Sequence, residues 1–167
     1  VKASGALAIL HLLAQTQTAP KDIGYVLETS EAACGDANQR GGGNFAKAIA
    51  AAAELSQATG ADIRGFCAGP AHGMLTAAAL IQSGIFSHVI VAGGGCTAKL
   101  GMNSKEHIKK GLPVLEDCLG GFALLLSADD GHNPQIRTDL VGCHSVGAGA
   151  SPQAIVAELV AKPLAKA

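Results

Sequence analysis

The chain has 167 residues, of which 49% are hydrophobic, 15% charged and 3% aromatic, with no tryptophan and a net charge of −1. That is enough chain to bury a core and too apolar for a disordered tail, and it lacks both the basic field and the aromatic rings that nucleic-acid binding uses. No apolar run reaches the ~20 residues that span a bilayer, and no secretory leader is visible. The five cysteines, Cys34, Cys67, Cys96, Cys118 and Cys143, are dispersed without a C-x-x-C pair. This argues against a disulfide framework or zinc site and for a reducing cytoplasm, with no metal or other cofactor expected.

In chain order, Val1 to Gln17 carries Leu7, Leu10 and Leu13, with Ile9 between turns, at the spacing of one helical face. His11 within it reads as a packed or rim histidine. Ala19 to Asp22, with Pro20, breaks that helix, and Ile23 to Thr29 reads as a strand around Tyr25-Val26-Leu27. The polar loop Ser30 to Gly43 follows, ending in Gly41-Gly42-Gly43, and Asn44 is the expected N-cap of a helix from Phe45 to Ser56. The triple glycine lacks the spacing and the Lys-Ser/Thr ending of a P-loop, so it reads as a flexible helix entry. A polar loop of fourteen residues in so apolar a chain still suggests a contact surface.

Ala61 to Phe66 reads as a buried strand that stops at Cys67, and a helix from about Ala68 to Ser83 follows, ended by Gly84. Pro70 suits a first helical turn, which has no internal hydrogen bond to lose. A thiol at that corner meets the unpaired N–H groups and positive dipole end of the helix, a setting that favours the nucleophilic thiolate. The competing reading is a buried structural cysteine, because cysteine is among the most buried residue types.

Beyond the corner, His88 to Ala92 is an expected strand closed by Gly93-Gly94-Gly95-Cys96, and Asn103 to Lys110 is short, charged surface. Phe122 to Leu126 is an expected strand, Asp129-Asp130-Gly131 has the form of a hairpin turn, and Ile136 to Cys143 reads as its partner strand. Ser151-Pro152 opens a last helix, Gln153 to Val160. Strands alternating with helices, then a strand pair, predict a layered α/β domain with a mostly parallel sheet, and Cys67 at its carboxyl end.

Phe66-Cys67-Ala68-Gly69 before a helix, a Val89-Ile90-Val91 strand running into glycines, and Glu116 to Gly121 before another apolar strand resemble the thiolase-like superfamily, nearest its ketoacyl synthase III branch. A closer resemblance rests on Glu31 to Lys47, Arg64 to His72, Thr97 to Asn103 and Lys109 to Asp117. These stretches are similar to the β subunits of component C of glycine/sarcosine/betaine reductase complexes, over nearly the whole chain.

The resemblance implies a thiolase-like fold with a five-stranded type of sheet, and Cys67 as the thiol that accepts an acyl group. It implies that an acetyl group is released as acetyl phosphate, after another component of the reductase has formed a carboxymethyl-selenoether. The implied partners are the α subunit, the selenoprotein as acyl donor, phosphate, and a second copy joined through the strand Ala61 to Phe66. Asn38 and Arg40 are implied to reach substrate or phosphate from the polar loop, which in thiolase-like dimers lies near the neighbouring active site. His72 corresponds to no catalytic histidine and is expected to pack; Cys34, Cys96, Cys118 and Cys143 are expected to be structural.

Condensing enzymes of the superfamily draw a His and an Asn from the second half of a duplicated fold, and no such positions occur here. Residues 1–167 therefore read as one half-domain, the N-terminal half of a longer subunit or its ordered part, with the family's central first strand missing before Val1. Two further functions stay open at this stage. One is a non-catalytic scaffold that positions an α subunit carrying the acyl thiol itself. The other is a condensing enzyme, which would pair the thiol with a carbanion instead of phosphate.

Overall fold

The computed structural model describes residues 2–30, 44–96, 104–113, 119–142 and 144–167. They form two compact units, 1–128 and 129–167.

The first unit is a four-stranded sheet with helices on both faces. Helix α1 (Lys2–Thr16) leads through a 3-10 turn at Pro20–Asp22 into β1 (Tyr25–Glu28), followed by α2 (Phe45–Ala52) and β2 (Thr59–Asp62). A second 3-10 turn, Phe66–Ala68, runs into α3 (Gly69–Gln82), β3 (His88–Cys96), α4 (Ser104–Lys109) and β4 (Leu119–Ser127). The strand order is β2-β1-β3-β4, with β1 parallel to β2 and β3, and β4 antiparallel to β3. β1 and β3 bond directly to each other, and among the described residues no strand precedes α1, so the sheet has four strands where a five-stranded type was expected.

Side chains alternate along the strands with period two. Val26, Ile90 and Ala92 turn to one face, where Ala6, Ile9 and Leu13 of α1 and Ile49 of α2 complete a buried cluster. Leu27, Val89 and Val91 turn to the other, against Ala77, Leu80 and Ile81 of α3. The buried stripe of α1 is thus Ala6, Ile9 and Leu13, whereas Leu7 and Leu10, expected on the core face, are exposed. Small residues decide this, because α1 lies so close to α2 that a Cβ on Gly5 would meet Ile49 Cδ1 at 2.8 Å.

Three expectations are corrected by pairing partners. The strand expected over Ala61 to Phe66 begins at Thr59 and ends at Asp62, because the chain beyond Asp62 leaves β geometry at Gly65 and Phe66. Gly93 to Cys96 lie inside β3 instead of closing it, since Gly94 and Gly95 pair with Gly121 and Gly120 and extend the ladder to Leu119. The hairpin expected at Asp129 to Gly131, with a strand over Ile136 to Cys143, does not form among the described residues.

In the second unit, Asp130 instead closes a local turn, accepting from the backbone N–H groups of His132 and Asn133 at 2.9 and 3.0 Å. These bonds, with a third from the Asn133 amide, hold its carboxyl down at a pKa of about 2. Ile136 and Val141 are exposed, and a 3-10 turn, Thr138–Leu140, lies between them beside the Arg137–Asp139 ion pair. α5 (Pro152–Val156) is capped by Ser151 and continues as one π turn, Ala157–Ala161, and α6 (Lys162–Leu164). No helix among the described residues is long and apolar enough to cross a membrane.

Candidate active site

The three parallel strands β2, β1 and β3 run in one direction, so their carboxyl ends share one edge of the sheet. Asp62 pairs with Glu28, and Glu28 with Ala92. Open α/β sheets place their sites at this edge, where chains leave strands and enter helices.

The passage from β2 to α3 is short and shaped by hydrogen bonds. Ile63 N–H donates to Glu28 O at 2.8 Å, the last main-chain bond to β1. Ala68 N–H then donates to Gly65 O at 3.0 Å and closes the 3-10 turn, and Gly69 N–H donates back to Phe66 O. Phe66 sits at φ +48°, left-handed backbone that costs a non-glycine residue about 1–3 kcal/mol and persists only where the surroundings enforce it. Its ring is 77% exposed. Cys67 follows in the same turn, exposed, two residues before α3 begins. Among the described residues, Cys67 is therefore not buried.

α3 reaches this position because it has almost no side chains where it crosses the sheet. A Cβ on Gly69 would lie 2.9 Å from Thr29 O, and one on Gly73 would lie 2.7 Å from Thr29 Cγ2 and 2.9 Å from Val91 Cγ1. Thr29, buried, is itself fixed to β3 by its N–H and hydroxyl, which both donate to Ala92 O. Pro70 occupies the first turn as expected, and the helix ends at Ser83 and Gly84, the latter at φ +73°.

A cluster of charge underlies the corner. Glu28 is 0% exposed and uses both carboxylate oxygens. Oε1 accepts from Ser30 N–H at 2.9 Å, and Oε2 from Arg64 Nη1 at 2.5 Å. The same guanidinium donates to Ser30 O and Ile63 O, both at 3.3 Å, and through Nη2 to Asp62 at 3.2 Å. Asp62 in turn accepts from Phe45 and Ala46 N–H at 3.0 and 2.8 Å, the first turn of α2. Asn44 caps that helix as expected, accepting from Lys47 N–H at 2.8 Å while its amide donates to Gly60 O. Carboxylate and amide together satisfy N–H groups that a helix start leaves unpaired.

Of the residues singled out in the sequence, Cys67 stands at this edge in the turn that leaves β2. Asn38, Arg40, Cys34, Cys118 and Cys143 lie outside the described residues, and Cys96 is the last residue of β3. His72 is exposed on the first turn of α3, and its Cδ2 is among the atoms nearest to Gly65. The Glu28–Arg64–Asp62 cluster went unrecognised in the sequence. Its one signal is a carboxylate closing the apolar run Tyr25-Val26-Leu27, a place where an unpaired charge could not stay. Among the described residues no three His, Cys, Asp or Glu side chains are placed to hold a metal ion.

An α/β/α layering with a mixed sheet of this order is a thiolase-like fold. The family model of 3-oxoacyl-[acyl-carrier-protein] synthase III matches residues 61–144, from β2 through the cysteine corner to beyond β4, and the chain belongs to that family. It is 58% identical, over 98% of its length, to the glycine/sarcosine/betaine reductase complex component C subunit beta of Peptoclostridium acidaminophilum. The chain spans 32% of that relative's length. Among solved structures, MvaS in complex with 3-hydroxy-3-methylglutaryl coenzyme A shares the fold over 75% of this chain and 28% of its own, with a TM-score of 0.57 and 21% identity. Cerulenin-bound OleA of Xanthomonas campestris does so over 75% of this chain and 40% of its own, with a TM-score of 0.59 and 15% identity. At those identities the two structures speak for the fold alone.

Proposed function

We propose that this chain is the acyl-accepting part of a component C β subunit, and that Cys67 carries an acetyl group as a thioester. The observation that carries the reading is the exposed Cys67 on its strained turn at the carboxyl edge of the sheet, in a chain 58% identical to such a subunit. Phosphate attacks the thioester carbonyl, the carbon–sulfur bond breaks, the Cys67 thiolate leaves, and the acetyl group departs as acetyl phosphate. A thioester suits this task because a thiolate is a far better leaving group than an alkoxide. The α subunit completes the enzyme, and a selenoprotein component of the reductase supplies the acyl group. Asn38 and Arg40 contact substrate or phosphate from the polar loop, and two copies of the chain join through β2, the edge strand nearest the corner.

The test is acetyl phosphate release by the reconstituted complex of full-length subunits, wild type against Cys67→Ser. The variant should lose more than about a hundredfold in turnover, while gel filtration shows unchanged association with the α subunit. Near-normal turnover in the variant would move the acyl thiol to the α subunit and leave this chain a scaffold.

A further inference from the structure

We infer that Arg64, held by the buried carboxylate of Glu28, is a positioning residue for Cys67. The inference rests on the acyl-thiol reading of Cys67 for its biological sense but not for its test. The main-chain ladder between β1 and β2 ends at Glu28 and Asp62, and one further bond, from Ile63, reaches β1. Beyond it, Gly65 is tied by its carbonyl into the 3-10 turn, and Arg64 lies between the two. The Arg64 side chain folds back over the strand ends. It donates to Glu28 Oε2, to the carbonyls of Ser30 and Ile63, and to Asp62, which also caps α2. The fork geometry of guanidinium serves several acceptors in fixed directions, which an ammonium cannot do.

Two residues later the backbone turns left-handed at Phe66, a conformation that needs enforcement from both sides. On the α3 side it is enforced by the close seat of Gly69 and Gly73 on Thr29. On the β2 side the enforcing group is Arg64. A carboxylate with no exposed surface is a costly place to store charge merely for stability, since apolar pairs of similar volume hold a fold as well or better. Glu28 closes β1 and binds Arg64, which stands two residues before the left-handed Phe66.

The experiment separates positioning from stability in the full-length subunit assembled with its α partner. Glu28→Gln and Arg64→Gln are made singly and together, and Arg64→Lys alone. Three quantities are read: melting temperature, the rate of Cys67 alkylation by iodoacetamide, and acetylation of the Cys67 peptide by acetyl phosphate. Arg64→Gln should melt lower, because it leaves the buried Glu28 carboxylate uncompensated, and Glu28→Gln should melt lower by less, because Arg64 keeps its bond to Asp62. The neutral double variant should regain most of that loss. Alkylation of Cys67 should fall about tenfold in all variants and stay low in the double variant and in Arg64→Lys, because the left-handed turn that presents the thiol persists only while its surroundings enforce it. Recovery of alkylation together with melting temperature in the double variant would overturn the inference, as would wild-type alkylation in Arg64→Lys. Should the double variant fail to fold, Arg64→Lys, which keeps the charge, decides alone. If wild-type protein takes up no acetyl group while alkylation follows the predicted pattern, the acyl-transfer reading fails and the positioning role stands.

Discussion

At the scale of the residue, the question is what singles out one thiol among five. A thiol must be reachable before it reacts. Cys67 is exposed, in the turn two residues before the fourteen-residue helix α3. Limited alkylation of the native full-length protein at neutral pH should therefore modify Cys67 first, as read by peptide mass mapping. Equal modification of all five cysteines, or preference for Cys34 or Cys96, would argue against its role as acyl acceptor. The neighbouring charges matter at the same scale. Removing Arg64 strands a fully buried carboxylate, a loss of up to about 3–5 kcal/mol in a fully buried pair and less here, because the Arg64 side chain is 28% exposed.

At the scale of the element, α3 is the part that carries the corner, and its seat depends on missing side chains. Gly73→Ala places a methyl group against two β-branched side chains, Thr29 and Val91, whose rotamers have little freedom to yield. Overpacking of this kind costs about 1–3 kcal/mol, against a helix-propensity gain of about 1 kcal/mol for replacing glycine. The expected net result is destabilisation of about 1 kcal/mol, with slower Cys67 alkylation as α3 lifts from the sheet. Urea unfolding of the variant beside wild type measures the first, and an unchanged or higher midpoint would show that the seat is looser than the geometry implies. The same reasoning explains the glycines at the other end of the sheet. A Cβ on Gly121 would lie 2.4 Å from Ser4 O, so α1 too is seated closely, on β4.

At the scale of the whole molecule, the four-stranded sheet has two edges, and the two are unlike. β2 is four residues long and lies beside the cysteine corner; β4 runs nine residues. An uncovered strand edge presents unpaired N–H and C=O groups, and pairing with a twofold mate is a common way to cover it. Joining through Thr59–Asp62 would run the sheet continuously from one copy into the other. Light scattering on the full-length β subunit should then give the mass of a dimer, whereas a stable monomer at micromolar concentration would count against this pairing.

Much of this arrangement was legible in the sequence wherever the deciding contacts are local. Asn44 as an N-cap, Pro70 in a first turn and Gly84 past a last turn depend on neighbours within a few residues, and each stands where the sequence places it. The apolar runs around Val26-Leu27 and Ile90-Val91 mark the central strands because a strand buried on both faces needs apolar residues on both. The cysteine corner is local too, being a strand end, a turn and a helix start in succession. Tertiary structure decided the rest. Ile136 to Val141 has strand-forming side chains but no ladder, since a strand exists only where a partner supplies hydrogen bonds. Gly93 to Gly95 look like a strand's end and yet continue it, because Gly120 and Gly121 lie opposite. Glu28 and Arg64 are 36 residues apart and meet only when β2 lies against β1. No local propensity encodes that encounter, and with it comes the hold on the turn that presents Cys67.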